Sequence, residues 1–429
     1  MRHLLVIVLL WITVSPVLRA ICDYDNWFTN RTLRLDLTLS GDSVNQHISL
    51  DELLSQKGWA GRRRHLDSLC LMGNGQIYVR DSASQKLIYC TSFSSLFQEW
   101  QNTPEALRRS KSFENSFYVP FPRHAVTITV QLRDSWQRVT SSTTFDVSPT
   151  DILIRNLDAA THYPYREVLK SGPVDSCVDI AFVAEGYRAD QMETFYRDVD
   201  RVCRQLFTHE PFRRMKRRFN VYAVAAPSHD KGTSEPVKGI WKSTVLGSSF
   251  DTFYSDRYLT TLHVKRLYDA LTGVPCDAII VLVNSDKYGG GGIYNLYMLS
   301  SAHHKWSLPV CVHEFGHSFA GLADEYDYGD GSSEYYHQGV EPWEPNITTL
   351  ADFKSKWSDM LLPGTPIPTP KSDCKETQYT RVGVFEGAGY MCKGVYRPAQ
   401  ECRMKVNDVP AFCPVCQRAI ERMIRYYTE

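Results

Sequence analysis

The stretch "VCVHEFGHSFAGLADEYDYGD", Val310 to Asp330, decides how the second half of the chain is read. "SLPVCVHEFGHSFAG" has the pattern of a helix over about Leu308–Ala320, with Val310, Val312, Phe315 and Phe319 supplying its apolar faces. His313 and His317 are four apart, so both imidazoles leave the same side of that helix, one turn from each other. Two neutral imidazoles placed this way can each offer a nitrogen to one zinc ion. Glu314 stands beside them, where a carboxylate can reach a water at the ion without ligating it; that is the arrangement for general-base activation of water. Gly321 ends the helix, because glycine readily takes the left-handed turn. "GLADEY" then brings a carboxylate back. Catalytic zinc takes three protein ligands and an open position, so Asp324 is expected as the third ligand. Glu325 is the alternative, or a partner that supports the ligands from behind.

Outward from this helix, the text after Cys177 alternates strands and helices. "VDIAFVAEGY", "FNVYAVAA" and the continuous apolar run "AIIVLVN" read as buried strands. "ADQMETFYRDVDRVCRQLF" is an amphipathic helix with Met192, Phe195, Val199, Val202 and Leu206 on one face. This order predicts a helix-flanked sheet. The glycine run Gly289–Gly292 lacks the Lys and Ser/Thr of a phosphate loop, and is read as a place where backbone approaches backbone near a substrate-binding edge strand. The front half differs. "TLRLDLTLSGD", "AVTITVQLRD" and "RVTSSTTFDV" alternate at period two and predict a β-sandwich, a packing or targeting module without reactive residues. Between them, residues 149–174 carry Pro149, Pro164 and Pro173 and read as an irregular linker.

"HEFGHSFAGLADEY" resembles the zinc motif of the immunoglobulin A peptidase family, a metzincin-like group of exported metallopeptidases. Gly321-Leu322-Ala323-Asp324 keeps the glycine-to-ligand spacing of metzincins. The extra residue before the glycine, and Asp in place of His as third ligand, match the narrower family. The resemblance extends through "DIAFVAEGYRADQMETFYRDVDRV", "EPFRRMKRRFNVYAVAAPS", "GGGGIYN", "GVYRP" and "FCPVCQRAI", nearly all of residues 165–429. The front half resembles the domain that precedes this peptidase unit. The resemblance implies an α+β / α/β two-domain chain. A signal peptide (1–20) and an N-terminal β-sandwich (21–148) come first. The linker (149–174) leads to a metzincin-like zinc peptidase domain (175–429), with a mixed sheet flanked by helices and a zinc-binding active-site helix. It implies a zinc endopeptidase with Zn2+ on His313, His317 and Asp324, Glu314 as general base, and protein substrates of the immunoglobulin A type. It also implies a methionine beneath the metal, Met404 rather than Met391, and makes Tyr396 a candidate donor to the oxyanion. Two rival readings are a zinc hydrolase of a non-protein amide and an inactive, peptidase-like binding protein.

Composition limits the partners. Of 429 residues, Lys plus Arg number 48 and Asp plus Glu 48, a balance that gives no reason to expect nucleic acid. "MRHLLVIVLLWITVSPVLRA" has the cationic start, apolar core and small-residue end of a secretory signal cut after Ala20. Export to a periplasm, cell surface or medium follows, with lipid attachment at Cys22 as a minor alternative. No later segment is apolar and long enough to span a membrane. Twelve cysteines in an exported chain predict several disulfides, above all within the cluster that runs from Cys374 to Cys416, and Cys413-Pro414-Val415-Cys416 is read as part of structural disulfides, with a redox pair or a second zinc site as alternatives. Asn30-Arg31-Thr32 and Asn346-Ile347-Thr348 fit glycan acceptors. His303-His304 reads as a solvated pair. Oligomeric state is not set by any of this.

Overall fold

The computed structural model describes residues 24–329 and 335–429. The expected signal peptide and Cys22 lie outside the described residues.

After a short helix α1 (Tyr24–Trp27), the front region forms two four-stranded sheets. Their strands are β1 (Phe28–Gly41), β2 (Gln46–Lys57), β3 (Gly75–Asp81), β4 (Leu87–Phe93), β5 (Lys111–Pro122), β6 (Val126–Arg133), β7 (Val139–Val147) and β8 (Arg155–Asn156). One sheet has the order β5-β1-β2-β8 and the other β4-β3-β6-β7. The period-two pattern produces this directly. On β6, Val126, Ile128, Val130 and Leu132 turn inward while the intervening residues stay half-exposed. Helix α2 (Leu96–Gln101) follows β4, its first turn capped by Ser95 Oγ, which accepts from the Gln98 amide.

β1 is buried on both faces, for different reasons. Leu33, Leu35, Leu37 and Leu39 fill the sandwich. Arg34 and Asp36, on the opposite face, are also buried. Arg34 makes a two-pronged contact to Asp36 (2.6 and 2.9 Å) and reaches Asp269 in the back region at 2.6 Å. That face of the sandwich is therefore a wall against the rest of the chain rather than a solvated surface.

The back region is built on a six-stranded sheet of order β13-β14-β12-β10-β11-β9. Its elements are β9 (Tyr165–Leu169), β10 (Val178–Glu185), α3 (Met192–Leu206), β11 (Phe219–Val224), α4 (Val264–Ala270), β12 (Ala278–Val283), β13 (Gly290–Ile293), β14 (Tyr297–Ser301) and α5 (Ser307–Ala320). β14, β12, β10 and β11 run parallel, and antiparallel β13 and β9 close the edges. β10 and β12 are buried at every residue, as their unbroken apolar runs require. Ile180 and Phe182 pack with α3, α5 and the last helix, whereas Ala181 and Val183 join a core continuous with the sandwich. α6 (Lys375–Thr380), the hairpin β15 (Phe385–Ala388) and β16 (Met391–Arg397), and α7 (Pro414–Thr428) complete the chain.

The stretch expected as an irregular linker, 149–174, instead supplies one strand to a front sheet and one to the six-stranded sheet. β8 pairs with β2, and β9 pairs with β11. Both are short edge strands, where alternation is too brief to register and proline punctuation dominates the pattern. Among the described residues no helix is long and apolar enough to cross a membrane.

Candidate functional site

Helix α5 buries Val310, Val312, Phe315 and Phe319 in the core and leaves His313, Glu314 and His317 half-buried on the opposite side. Gly321 ends it in the left-handed region (φ +59), and a side-chain carbon there would lie 2.7 Å from the Trp343 ring. The chain doubles back, and the Leu322 amide bonds to the Gly316 carbonyl at 3.2 Å. Asp324 thereby meets the histidines. Its Oδ1 lies 3.0 Å from His313 Nε2 and 3.3 Å from His317 Nε2, and the two Nε2 atoms are 3.0 Å apart.

The outer ring nitrogens decide what this cluster wants. His313 Nδ1 bonds to the Arg403 carbonyl at 2.9 Å, and His317 Nδ1 bonds to the Leu322 carbonyl. A carbonyl only accepts, so each Nδ1 carries a hydrogen, and in the neutral ring each Nε2 presents a lone pair. Two lone pairs and a carboxylate oxygen thus converge, and Asp324 Oδ1 has no hydrogen-bond donor of its own. Burial works against charge on His317, yet Asp324 pushes its pKa up to about 9. Asp324, against its own burial, is held well below the usual carboxylate range by the two imidazoles. The cluster is built to hold a positive charge, and two imidazole nitrogens with one carboxylate oxygen are a donor set that suits zinc.

Neighbouring side chains hold the Asp324 loop in place. The Tyr390 hydroxyl donates to Asp324 Oδ2 at 2.5 Å. Asn346 is fully buried; its Oδ1 accepts from the Ala323 amide (2.7 Å), and its Nδ2 donates to the Ala323 carbonyl and to Glu325 Oε1 (both 2.9 Å). That amide is unavailable to a glycan, which corrects the acceptor reading of Asn346-Ile347-Thr348. Met404 is fully buried, with its sulfur 2.8 Å from where a side chain on Gly316 would begin, directly behind the histidine helix. Met391 packs elsewhere, with Ala323, Ile347 and Val395.

Glu314 is desolvated, which pushes its carboxyl up despite the two imidazoles beside it. The glycine run explains how β13 passes so close. A side chain on Gly290 would start 2.9 Å from Glu314 Oε1, and one on Gly292 would start 2.4 Å from the Glu314 carbonyl. β13 is the sheet edge expected from the glycines, but the Leu259 amide already bonds the Gly290 carbonyl at 3.3 Å, so part of that edge is occupied by the chain itself. The site opens into a cleft of about 1120 Å³ walled by both regions, including Glu99 and Arg133 from the sandwich and Tyr258, Tyr288 and Tyr328 from the back region. Glu99 accepts from the Tyr258 hydroxyl, and burial pushes its pKa up to about 7.

Three sequence expectations land elsewhere. Tyr396 does not line the cleft; its backbone pairs with Thr348 and its ring sits near Glu386, so it cannot serve the oxyanion from there. Tyr390, six residues earlier on the same hairpin, is the tyrosine at Asp324. Glu325 points away from the histidines into a buried group with Cys402, Cys413 and Cys416. Among the described residues the cysteines are unpaired, in contrast to the expected disulfides. His303 is exposed, in keeping with a solvated reading, and also pairs with Asp198 at 2.7 Å.

The sequence was also compared with known proteins. A family model described as IgA Peptidase M64 matches residues 166–381 and 374–424, and one described as Peptidase M64 N-terminus matches residues 23–144. No curated protein matches the chain.

Proposed function

The chain belongs to the IgA peptidase M64 family and is a peptidase, and from that premise we propose that it is an exported, zinc-dependent endopeptidase with His313, His317 and Asp324 as metal ligands and Glu314 as general base. The observation that carries this reading is the convergence of three potential ligand atoms, two Nε2 and Asp324 Oδ1, within 3.3 Å of one another. Zinc held there would supply Lewis acidity and a water of lowered pKa. Glu314 takes the proton of the attacking water and returns it to the leaving amine; its desolvation makes it a stronger base than a surface carboxylate. The Nδ1 bonds to the Arg403 and Leu322 carbonyls fix both imidazole orientations before any substrate arrives. The cleft, open and walled by both regions, suits an extended segment of protein entering from the side, hence internal cleavage. Substrates of the immunoglobulin A type fit the family and are part of the proposal.

The test combines metal content with cleavage. The purified chain should hold zinc and cut proteins at internal bonds, and a chelator should abolish cutting. Glu314→Ala should keep zinc at the histidines and lose about 10²–10⁴-fold in turnover. An active Glu314→Ala would overturn the assigned base. Zinc without proteolysis would favour a non-protein amide substrate, and absence of zinc would favour a binding protein.

A further inference from the structure

Behind the histidine site lies a second group of side chains that the peptidase reading does not use. Glu325, Cys402, Cys413 and Cys416 are all buried, and one ligand atom from each lies within 4.8 Å of the others. Cys416 Sγ is 3.0 Å from Glu325 Oε1 and 3.8 Å from Cys402 Sγ, and the Cys413 amide points at Cys402 Sγ from 3.3 Å. Glu325 is fully buried, and its Oε2 has no hydrogen-bond partner. An unpartnered buried carboxylate oxygen costs several kcal/mol unless something charged meets it. We propose that Glu325, Cys402, Cys413 and Cys416 form a closed, four-coordinate structural zinc site, separate from the histidine centre.

The chemistry favours zinc over the alternatives. Three thiols and a carboxylate in a tight buried cluster match a structural zinc site, which has no open position and prefers sulfur. A disulfide would use two of the three cysteines and leave a thiol and Glu325 Oε2 without partners. Binding displaces the thiol protons to solvent and leaves an anionic cluster. Two features offset that charge. Cys413 caps α7 and Cys416 lies in its first turn, where the helix dipole favours thiolate. Arg397 and Arg403 are both buried within electrostatic range of the group, Arg397 facing Glu325 and Cys402, and Arg403 facing Cys402.

The position gives the site its purpose. Glu325 follows Asp324, and its amide bonds the Met404 carbonyl at 2.8 Å. Cys402 precedes Arg403, whose carbonyl holds His313. One ion there ties together the loop of the third ligand, the methionine segment and the start of α7. It fixes the outer shell of the histidine centre without touching it.

The experiment measures zinc per chain in the secreted protein, purified without reductant, for the wild type and for His317→Ala. The wild type should carry two equivalents. His317→Ala should retain one, which an organomercurial releases and which Cys416→Ser or Glu325→Gln diminishes. Cobalt exchanged into His317→Ala should show an intense thiolate-to-cobalt charge-transfer band; this reading needs no cysteine variant to fold. His317→Ala devoid of zinc, or peptide mapping that finds Cys402 in a disulfide with Cys413 or Cys416, would overturn the proposal. Failure of the peptidase reading looks different: a wild type holding only the thiolate-bound ion.

Discussion

The Tyr390 hydroxyl donates to Asp324 Oδ2 at 2.5 Å, which leaves Oδ1 as the oxygen facing both imidazoles. The tyrosine is held for this task at some cost. Its backbone sits in the left-handed region (φ 68), unusual for a bulky residue. Its ring stacks on Tyr328 with centroids 5.4 Å apart, and its amide bonds the Tyr326 carbonyl at 3.0 Å. Outer partners of this kind set the orientation of a ligand. If the histidines hold zinc as proposed, Tyr390→Phe should weaken its binding about 10–100-fold with little change in fold. Competition against a chelator of known affinity reads this directly, and an unchanged affinity would reduce Tyr390 to a packing residue.

Asn346 holds the same loop from the other side through three hydrogen bonds to Ala323 and Glu325. Removing it leaves a buried N–H, a buried carbonyl and a carboxylate oxygen short of a partner. Asn346→Ala should cost about 2–4 kcal/mol, from about 1–3 for each orphaned group with partial relaxation. Denaturant unfolding measures the loss. Glycopeptide mapping of the chain from a glycosylating host should find Asn346 unmodified.

Gly292 is where the edge strand passes the histidine helix most tightly. A side-chain carbon there would start 2.4 Å from the Glu314 carbonyl and 3.0 Å from His317 Cβ. Gly292→Ala must push α5 and β13 apart, so it should cost about 1–3 kcal/mol and lower kcat/KM by displacing Glu314. Gly339, with nothing within 4 Å of an added carbon, is the control, and its change to Ala should stay within about 0.5 kcal/mol. Equal effects at the two positions would contradict the close-approach account of the glycine run.

What could be read from the sequence follows how local each signal is. His313, Glu314 and His317 share one helix, and Gly321 marks its end, so a period of 3.6 and one turn residue suffice to propose a cluster. β10 and β12 are central because they are apolar throughout. Tyr390 was invisible for the opposite reason: it reaches Asp324 from 66 positions away. Tyr396 lies on the same hairpin, and only the turn geometry around Gly389 and Tyr390 decides which tyrosine faces the loop. Glu99 was missed because it comes from the sandwich, read as free of reactive residues, and enters the cleft only through docking of the two regions. The distinction between Asp324 and Glu325 was equally non-local. Neighbours in sequence, they face two different clusters, and the cysteines that surround Glu325 arrive from beyond β16.

A last expectation concerns pH, at a pair of carboxylates that belongs to neither cluster. The Asp179 amide donates to Asp277 Oδ2 at 2.9 Å, the Asp277 amide donates to the Asp179 carbonyl at 2.7 Å, and Asn220 donates to Asp179 Oδ1 at 2.8 Å. Asp179 Oδ2 has no partner. Burial pushes both carboxyls up; Asp179 adds repulsion to Asp277, while Asn220 and Lys170 pull Asp179 partly back. The folded chain therefore binds a proton here more tightly than the unfolded chain. The resulting stability is fully present below the ordinary aspartate pKa, about 3.9, and is lost as pH rises through the raised values. Each unit by which the folded pKa exceeds the unfolded one is worth about 1.4 kcal/mol. Asp179→Asn keeps an acceptor for Asn220 and removes the Asp179 titration together with its repulsion of Asp277. Across a pH series of urea unfolding curves, the wild type should lose stability relative to Asp179→Asn as the medium moves from acid to neutral. Parallel profiles would mean that the pair ionises as freely in the folded chain as in the unfolded one.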